Sequence, residues 1–320
     1  MTAVFGVDVG GTLLRVALAA RADGRIIDRR ELPTHARHGP AEAVQMIAGM
    51  MRELLAGNQM SMADIASTGV GVPGPSDPRT GVLIEPPNLP EWHNVAFGPM
   101  LKDAVGVPTH LNNDARLAAF GEFRQGAGRG SRDMLFVTVS TGIGGGIVID
   151  GNLYEGAGGT AGEVGHTPIV ADGPACHCGG HGCLEMVASG TAIARIAGER
   201  IAAGEASGMS GSEPLTSKTV ADWALRGDAL ALSALYDAGH YLGLALGGFI
   251  NVLDPGVVVL GGGAIQSGAA LLDPMHAAIK LQAFESALRH TRVVLAALGQ
   301  DAGLVGAVEW ARAHAAESAG

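Results

Sequence analysis

Aromatic and charged residues are both in short supply in this sequence, at 4% and 16% of 320 residues. Its core must therefore be built mainly from Ala, Val, Leu and Ile, and a hydrophobic content of 47% excludes a disordered chain. Basic residues are the scarcer charge: 21 Lys and Arg stand against 31 Asp and Glu, a formal net charge of −10. That balance repels a polyphosphate backbone and offers no general attraction to anionic lipid, so neither nucleic acid nor a membrane surface is an expected partner. No apolar stretch reaches the roughly 18 uninterrupted residues of a spanning helix. The best candidate, Tyr241 to Gly263, is broken by Asn251, Asp254 and Pro255. Met1 to Val9 lacks the basic segment and long apolar region of a secretory leader, which predicts a soluble, cytoplasmic protein. Cysteine is scarce too: three residues, all between Cys176 and Cys183, a distribution that excludes a disulfide framework and points to a metal site. Glycine is the residue in excess, with fifty copies, and these lack the fixed period of collagen.

At roughly 150 residues per domain, the length predicts about two domains. Val4 to Val9, Leu14 to Ala19 and Arg25 to Leu32 read as strands, the first two joined by a glycine turn. Ala43, Val44, Ile47, Met50, Met51, Leu54 and Leu55 recur at three-to-four spacing, which predicts an amphipathic helix over 40–56. Buried strands follow at Ile65 to Val72, which runs into Pro73-Gly74-Pro75, and at Thr109 to Asn112, ahead of Asp114 and an Ala-rich helix reaching Gln125. The opening pattern then recurs. Leu135 to Val139 reads as a strand, Ser140 to Gly146 as a glycine turn and Ile147 to Ile149 as the return strand, a duplication of pattern rather than of identity. Helices are expected over 191–203, 230–252 and 302–316, a strand at Val257 to Leu260, and a loop over 204–217. Open α/β sheets bind ligands beyond the carboxyl ends of their strands, so strand-end residues are the first candidates for a site.

Asp8-Val9-Gly10-Gly11-Thr12 closes the first strand. A glycine pair there lets backbone N–H groups approach phosphate oxygens, Thr12 adds a hydroxyl, and Asp8 can hold magnesium directly or through water. The same residues would also suit a hairpin turn in which Asp8 accepts turn hydrogen bonds. Ser140 to Gly146 and Gly261 to Gly263 each follow a buried strand in the same way, and three such turns could serve one nucleotide. Asp114 stands between a strand and a helix, where it can cap the helix or act as a general base toward a substrate hydroxyl, with Asn113 holding a neighbouring hydroxyl.

The densest signal runs from Gly162 to Glu185. His166 is followed, after nine residues, by Cys176, Cys178 and Cys183, and one imidazole with three thiolates makes a closed set suited to structural zinc. His177 or His181 could replace His166, although adjacent ligands such as Cys176 and His177 make strained chelates, and both are expected to face solvent. With one ring nitrogen of His166 on the metal, the other is left as a donor of fixed direction beside Glu163 and Glu185, a combination suited to a polyhydroxyl ligand.

Together these residues resemble the ROK family of bacterial sugar kinases and repressors, a branch of the actin-like, ribonuclease H-like ATPase superfamily. The likeness runs from Asp8 to Gly303-Leu304-Val305-Gly306-Ala307, and its most specific part is the pattern matched at His166, Cys176, Cys178, Gly179, Gly182, Cys183 and Glu185. It implies an α/β actin-like fold of two domains around a cleft, 1–115 plus 301–320 and 116–300, the second carrying the zinc loop. It also implies ATP-dependent phosphorylation of a hexose at its 6-hydroxyl, with Asp114 as catalytic base. Sugar contacts would come from Gly74, Asn88, Asn113, Asp114, Glu163, His166 and Glu185. The nucleotide side would comprise Asp8, Gly10, Gly11, Thr12, Thr141, Gly142 and Gly262, with ATP, Mg2+ and structural Zn2+ as cofactors and a homodimer as the assembly. Pro87 to Trp92 and the Glu163, His166 and Glu185 set are most similar to the glucokinase branch, with N-acetylmannosamine or N-acetylglucosamine kinase as the alternative. Leu13 departs from the Lys that many relatives carry. The family's repressors have an amino-terminal helix-turn-helix domain, and a phosphate turn beginning at Asp8 predicts none here. A non-catalytic sugar sensor would not need Asp114 and intact glycine turns, and a polymerising or chaperone ATPase would not need Asn113, Glu163 and His166.

Overall fold

All seven residues of the first strand, β1 (Ala3–Val9), are buried, so both of its faces are covered. The computed structural model, which describes residues 2–34, 39–84, 86, 92–211 and 214–317, shows what covers them. β1 pairs antiparallel with β2 (Leu13–Ala20), and β2 with β3 (Ile26–Pro33). Helix α1 (Pro40–Gly57) leads to β4 (Ile65–Val72), which lies parallel to β1. A short hairpin, β5 (Ser76–Asp77) and β6 (Val82–Leu83), and helix α2 (Phe97–Val105) then precede β7 (Thr109–Asn113), parallel to β4, and helix α3 (Asp114–Gln125). The sheet order is β3-β2-β1-β4-β7.

Period-two alternation sends successive β1 side chains to opposite faces. Phe5, Val7 and Val9 join a core with Ile47, Met51 and Leu54 of α1 and Phe97 and Leu101 of α2. Val4 joins another with Leu304, Val308 and Ala311 of the closing helix, Ala302–Glu317. At roughly 1.5–3 kcal/mol for each large apolar side chain removed from water, the two cores dominate the stability of this sheet. The closing helix comes unusually close: a Cβ on Gly69 would sit 2.1 Å from the Ala307 carbonyl oxygen, and one on Gly306 would sit 1.7 Å from that of Leu117. Gly306 belongs to the run Gly303 to Ala307, so part of that motif is explained by packing.

A second sheet follows, built from β8 (Met134–Val139), β9 (Ile143–Ile149), β10 (Asn152–Leu153), β11 (Val257–Gly261) and β12 (Arg292–Leu295). Helices α4 (Glu185–Ala188), α5 (Gly190–Ala202), α6 (Ser217–Ala224) and α7 (Ala229–Leu253) lie between β10 and β11 in sequence, and α8 (Ala269–Gln282) and α9 (Glu285–Leu288) between β11 and β12. α10 is the closing helix. The sheet order is β10-β9-β8-β11-β12, with β11 parallel to both β8 and β12. Strand for strand this repeats the first sheet, so the duplication suggested by the glycine turns is present in the topology.

Two expectations shift. The return strand begins at Ile143 rather than Ile147, because Gly144 to Gly146 lie within β9 instead of in the turn. A Cβ on Gly146 would sit 2.4 Å from that of Ala119, so this glycine admits α3 against the strand, a common reason for glycine inside a strand. Helix α8, unforeseen in the sequence, carries Pro274 and packs on α7, where a Cβ on Gly239 would sit 2.2 Å from the Leu271 carbonyl oxygen. No described helix is long and apolar enough to cross a membrane.

The chain divides into two compact units, 1–130 with 146–162 and 297–320, and 131–145 with 163–296. Relative to the expected 1–115 plus 301–320 and 116–300, α3 falls in the first unit, where it packs along α10.

Candidate active site

In the first unit, β1, β4 and β7 are parallel neighbours, so their carboxyl ends lie side by side, with Asp8 opposite Gly71 and Val72 opposite Asn113. This register brings Gly74, Asn113 and Asp114 together. The Asn113 amide donates to the Gly74 carbonyl at 3.1 Å, and its Oδ1 accepts the Arg116 backbone N–H at 3.1 Å. Asn113, not Asp114, is therefore the cap of α3. Asp114 is the first helical residue, half-buried, with Oδ1 accepting the Ala115 N–H at 2.7 Å. Of the two roles open to it from sequence, the capping one is already filled by its neighbour. Gly74 has φ +79°, a conformation that favours glycine. Asn88, with the rest of 87–91, lies outside the described residues.

The turn after β1 is a tight hairpin in which the Gly10 N–H donates to the Leu13 carbonyl at 2.9 Å, leaving Gly11 and Thr12 exposed. Asp8 makes no bond to that turn. Its carboxylate pairs with Arg15, which also donates to the Gln300 carbonyl at 2.7 Å. Burial pushes the Asp8 carboxyl above its usual range, and the Arg15 guanidinium opposes that rise. Arg15 was not singled out in the sequence, although it stands two residues after Leu13 on the same face of β2. The buried Arg116, which donates to the Gly159 carbonyl at 2.5 Å, was also missed, because an Arg on a helix carries no signal of burial.

In the second unit, one metal-ligating atom from each of His166, Cys176, Cys178 and Cys183 lies within 4.8 Å of the others. His166 Nδ1 is 3.6 Å from Cys176 Sγ, and Cys178 Sγ is 3.7 Å from Cys183 Sγ. Tetrahedral zinc, with Zn–S about 2.3 Å and Zn–N about 2.0 Å, sets its ligands about 3.5–3.8 Å apart, so the donor set fits. A hydrogen bond from Gly180 draws the Cys178 thiol down, whereas burial raises Cys176 and pushes Cys183 up to about 12. The two raised thiols need a nearby cation to become thiolates. Of the three candidate histidines, His166 faces the cysteines; His177, although exposed, turns Nε2 to Glu185 Oε1 at 3.2 Å, and His181 is exposed and outside the cluster. Glu163 immediately precedes the single helical turn Val164–His166.

β8 and β11 are parallel neighbours as well, which sets the Ser140 and Gly262 turns next to each other. They border a cavity of about 1300 Å³, whose lining includes Ser140, Thr141, Gly190, Thr191, Gly263 and Ala264. Gly262 itself lies beneath: its φ is +93°, and a Cβ there would sit 2.2 Å from the Val139 carbonyl oxygen. Gly142 faces Glu185, whose Oε2 would be 2.3 Å from an added Cβ. The predicted residues thus fall into two groups, Asp8 to Thr12, Gly74, Asn113 and Asp114 in the first unit, and Thr141, Gly142, Gly262, Glu163, Glu185 and the metal ligands in the second.

This combination, a duplicated α/β frame with a carboxylate at one set of strand ends and glycine turns at the other, is that of a sugar kinase of the actin-like ATPase fold. The sequence profile of the ROK family matches residues 4–314, and the chain belongs to that family. A glucokinase from Halalkalibacterium halodurans is 38% identical over 306 residues, 94% of this chain and 92% of its own. An N-acetylmannosamine kinase from Escherichia coli O157:H7 is 36% identical over 305 residues, 94% of this chain and 95% of its own. The crystal structure of a ROK family glucokinase from Streptomyces griseus in complex with glucose and AMPPNP matches with a TM-score of 0.79 at 31% identity, over 97% of this chain and 99% of that one.

Proposed function

We infer that the protein is an ATP-dependent hexose kinase of the glucokinase type, transferring the γ-phosphoryl group to the sugar's 6-hydroxyl. The observation that carries this reading is the likeness to glucokinases along almost the whole chain, 38% over 306 residues in one case. Asp114 acts as general base: it takes the hydroxyl proton as the oxygen attacks the γ-phosphorus in line, giving the sugar 6-phosphate and ADP. Asn113, Glu163, His166 and Glu185 bind and orient sugar hydroxyls, with Gly74 and Asn88 at the rim. His166 contributes through Nε2, because Nδ1 faces the cysteines.

A cavity of about 1300 Å³ exceeds what a phosphate chain needs, and it includes the apolar Leu215, Ala224 and Leu225, which supports ATP rather than polyphosphate as donor. Thr141, Gly142 and Gly262 serve the nucleotide here, with Asp8, Gly10, Gly11 and Thr12 on the phosphate side. Magnesium arriving with the nucleotide would neutralise charge on the transferring group, and Asp8 would hold it through water, since Arg15 already engages Oδ2. His166, Cys176, Cys178 and Cys183 would hold a structural zinc with four protein ligands, which would order the loop and leave the chemistry to other residues. Three cysteines held as thiolates fit a reducing, cytoplasmic setting. The family resemblance supports a homodimer.

The test is ADP release from ATP-magnesium with glucose, mannose, fructose, N-acetylglucosamine and N-acetylmannosamine, run beside Asp114→Asn. Turnover with glucose, abolished by the substitution, is the expected result. Preference for N-acetylmannosamine would move the protein to the second reading, which rests on 36% identity to such a kinase. Sugar binding without turnover in zinc-replete protein would leave a sensor, and sugar-independent turnover an ATPase of another class.

A further inference from the structure

Glu185 is counted above as a sugar ligand, yet both of its oxygens already have partners. Oε2 accepts the Ile143 backbone N–H at 2.8 Å, and Oε1 faces His177 Nε2 at 3.2 Å. Ile143 is the residue at which the Ser140 turn becomes strand β9, and His177 stands between two metal-ligating cysteines. The metal loop grips Ile143 from its other side too, since a Cβ on Gly165, next to His166, would sit 2.1 Å from the Ile143 carbonyl oxygen. At the other end of the turn, the Ser140 and Thr141 carbonyls accept the Gly190 and Thr191 N–H groups of α5 at 2.7 and 3.3 Å. Ser140 and Thr141 line the large cavity, so whatever fixes Ile143 also fixes the mouth of that cavity.

We propose that Glu185 is a positioning residue for the nucleotide as well as a ligand for the sugar: its carboxylate latches the metal-ordered loop to the Ser140–Ile143 turn. This rests on the kinase reading for the cavity's occupant. Gly142 is glycine because the latch occupies the space of its Cβ. The metal, through His177 and Gly165, stiffens a phosphate-binding turn that it never touches. A hydroxyl arriving at Oε1 must share that oxygen with His177, whereas Oε2 stays with Ile143.

Two substitutions separate reach from charge. Glu185→Asp keeps the charge but withdraws the oxygens by one methylene; Glu185→Gln loses the charge but keeps an oxygen within reach of Ile143. AMPPNP binding is measured by calorimetry with magnesium, without sugar, on zinc-loaded protein. The latch requires Glu185→Asp to bind AMPPNP about tenfold or more weakly and Glu185→Gln to stay within about twofold of the parent, as expected for losing or keeping a hydrogen bond to a charged group. Equal affinities in all three, equal losses in both variants, or a loss confined to Glu185→Gln would each overturn it. If Glu185→Asp fails to retain zinc, Gly142→Ala tests the same contact from the other side. Its loss of AMPPNP affinity should not deepen when Glu185→Ala, which removes both carboxylate oxygens, is added, and losses that multiply would show the two residues acting independently and sink the latch. Failure of every sugar in the panel while these AMPPNP results hold would overturn the hexose reading and leave the latch standing.

Discussion

At the carboxyl ends of its parallel strands, the first sheet presents side chains, Asp8 after β1 and Asn113 with Asp114 after β7. The second sheet, with the same strand order, presents main chain there: Ser140 to Gly142 after β8, and Gly262 with Gly263 after β11. The same strand order thus ends in two different kinds of group. A proton acceptor must be an ionisable side chain, whereas a cradle for a polyanion is best made of N–H groups with no Cβ and no negative charge beside them. The units also differ in what stiffens them. The first relies on close helix packing at Gly69 and Gly306, and the second adds a cluster of one histidine and three cysteines whose ligand atoms lie within 4.8 Å of one another.

The largest effect is expected from Asp114→Asn, which should lower kcat by about 10²–10⁴-fold while AMPPNP affinity and zinc content stay at parental values. A parallel loss of nucleotide affinity would mark Asp114 as a nucleotide contact as well. Next comes the metal. Elemental analysis should find one zinc per chain, and Cys183→Ser should lose it, raise KM for the sugar and lower Tm by roughly 5 °C or more, since structural zinc contributes folding free energy directly. Well under one zinc in freshly purified parent protein would remove the metal from the comparison.

The smallest effect concerns the first unit alone. His110 of β7 stacks on His314 of α10 at 4.2 Å between ring centroids, with Trp310 against His314, and its Nε2 is buried without a hydrogen-bond partner among the described residues. Burial, then His314 and Lys102, lower its pKa from 6.5 to about 4. Between those values the unfolded chain binds the proton and the folded one does not, so this histidine's stabilising contribution is present above pH 6.5 and is lost as pH falls toward 4. His110→Asn should flatten the acid limb of a Tm-against-pH curve in that window. An unchanged limb would show that the stacked pair does not couple to folding.

Much of this could be read from local pattern. α1 declares itself through 3.6-periodic apolar residues and β1 and β4 through short runs rich in Val, Ile and Phe, and β4 was expected with the bounds it has. The four candidate metal ligands lie within 18 positions, His166 to Cys183, so chain proximity already limited the choices. Helix α6 was hidden because its cap, Thr216, sits in a small, polar stretch that reads as loop, and α8 because Pro274 interrupts the pattern. Gly144 to Gly146 read as turn because sequence does not distinguish a glycine needed for flexibility from one needed to admit a neighbouring helix.

The sequence by itself determined which residues could carry chemistry: a carboxylate at a strand end, glycines at three others, and three thiols with a histidine. Only the tertiary structure decided their pairings. It made Asn113 rather than Asp114 the helix cap, turned His166 rather than His177 toward the cysteines, gave Arg15 to Asp8, and set Glu185 against Ile143 across 42 positions of sequence. The physical reason is that ligand type is a property of one side chain, whereas a partner is chosen by which strand ends the sheet register lays side by side, and that register depends on contacts between residues far apart in the chain.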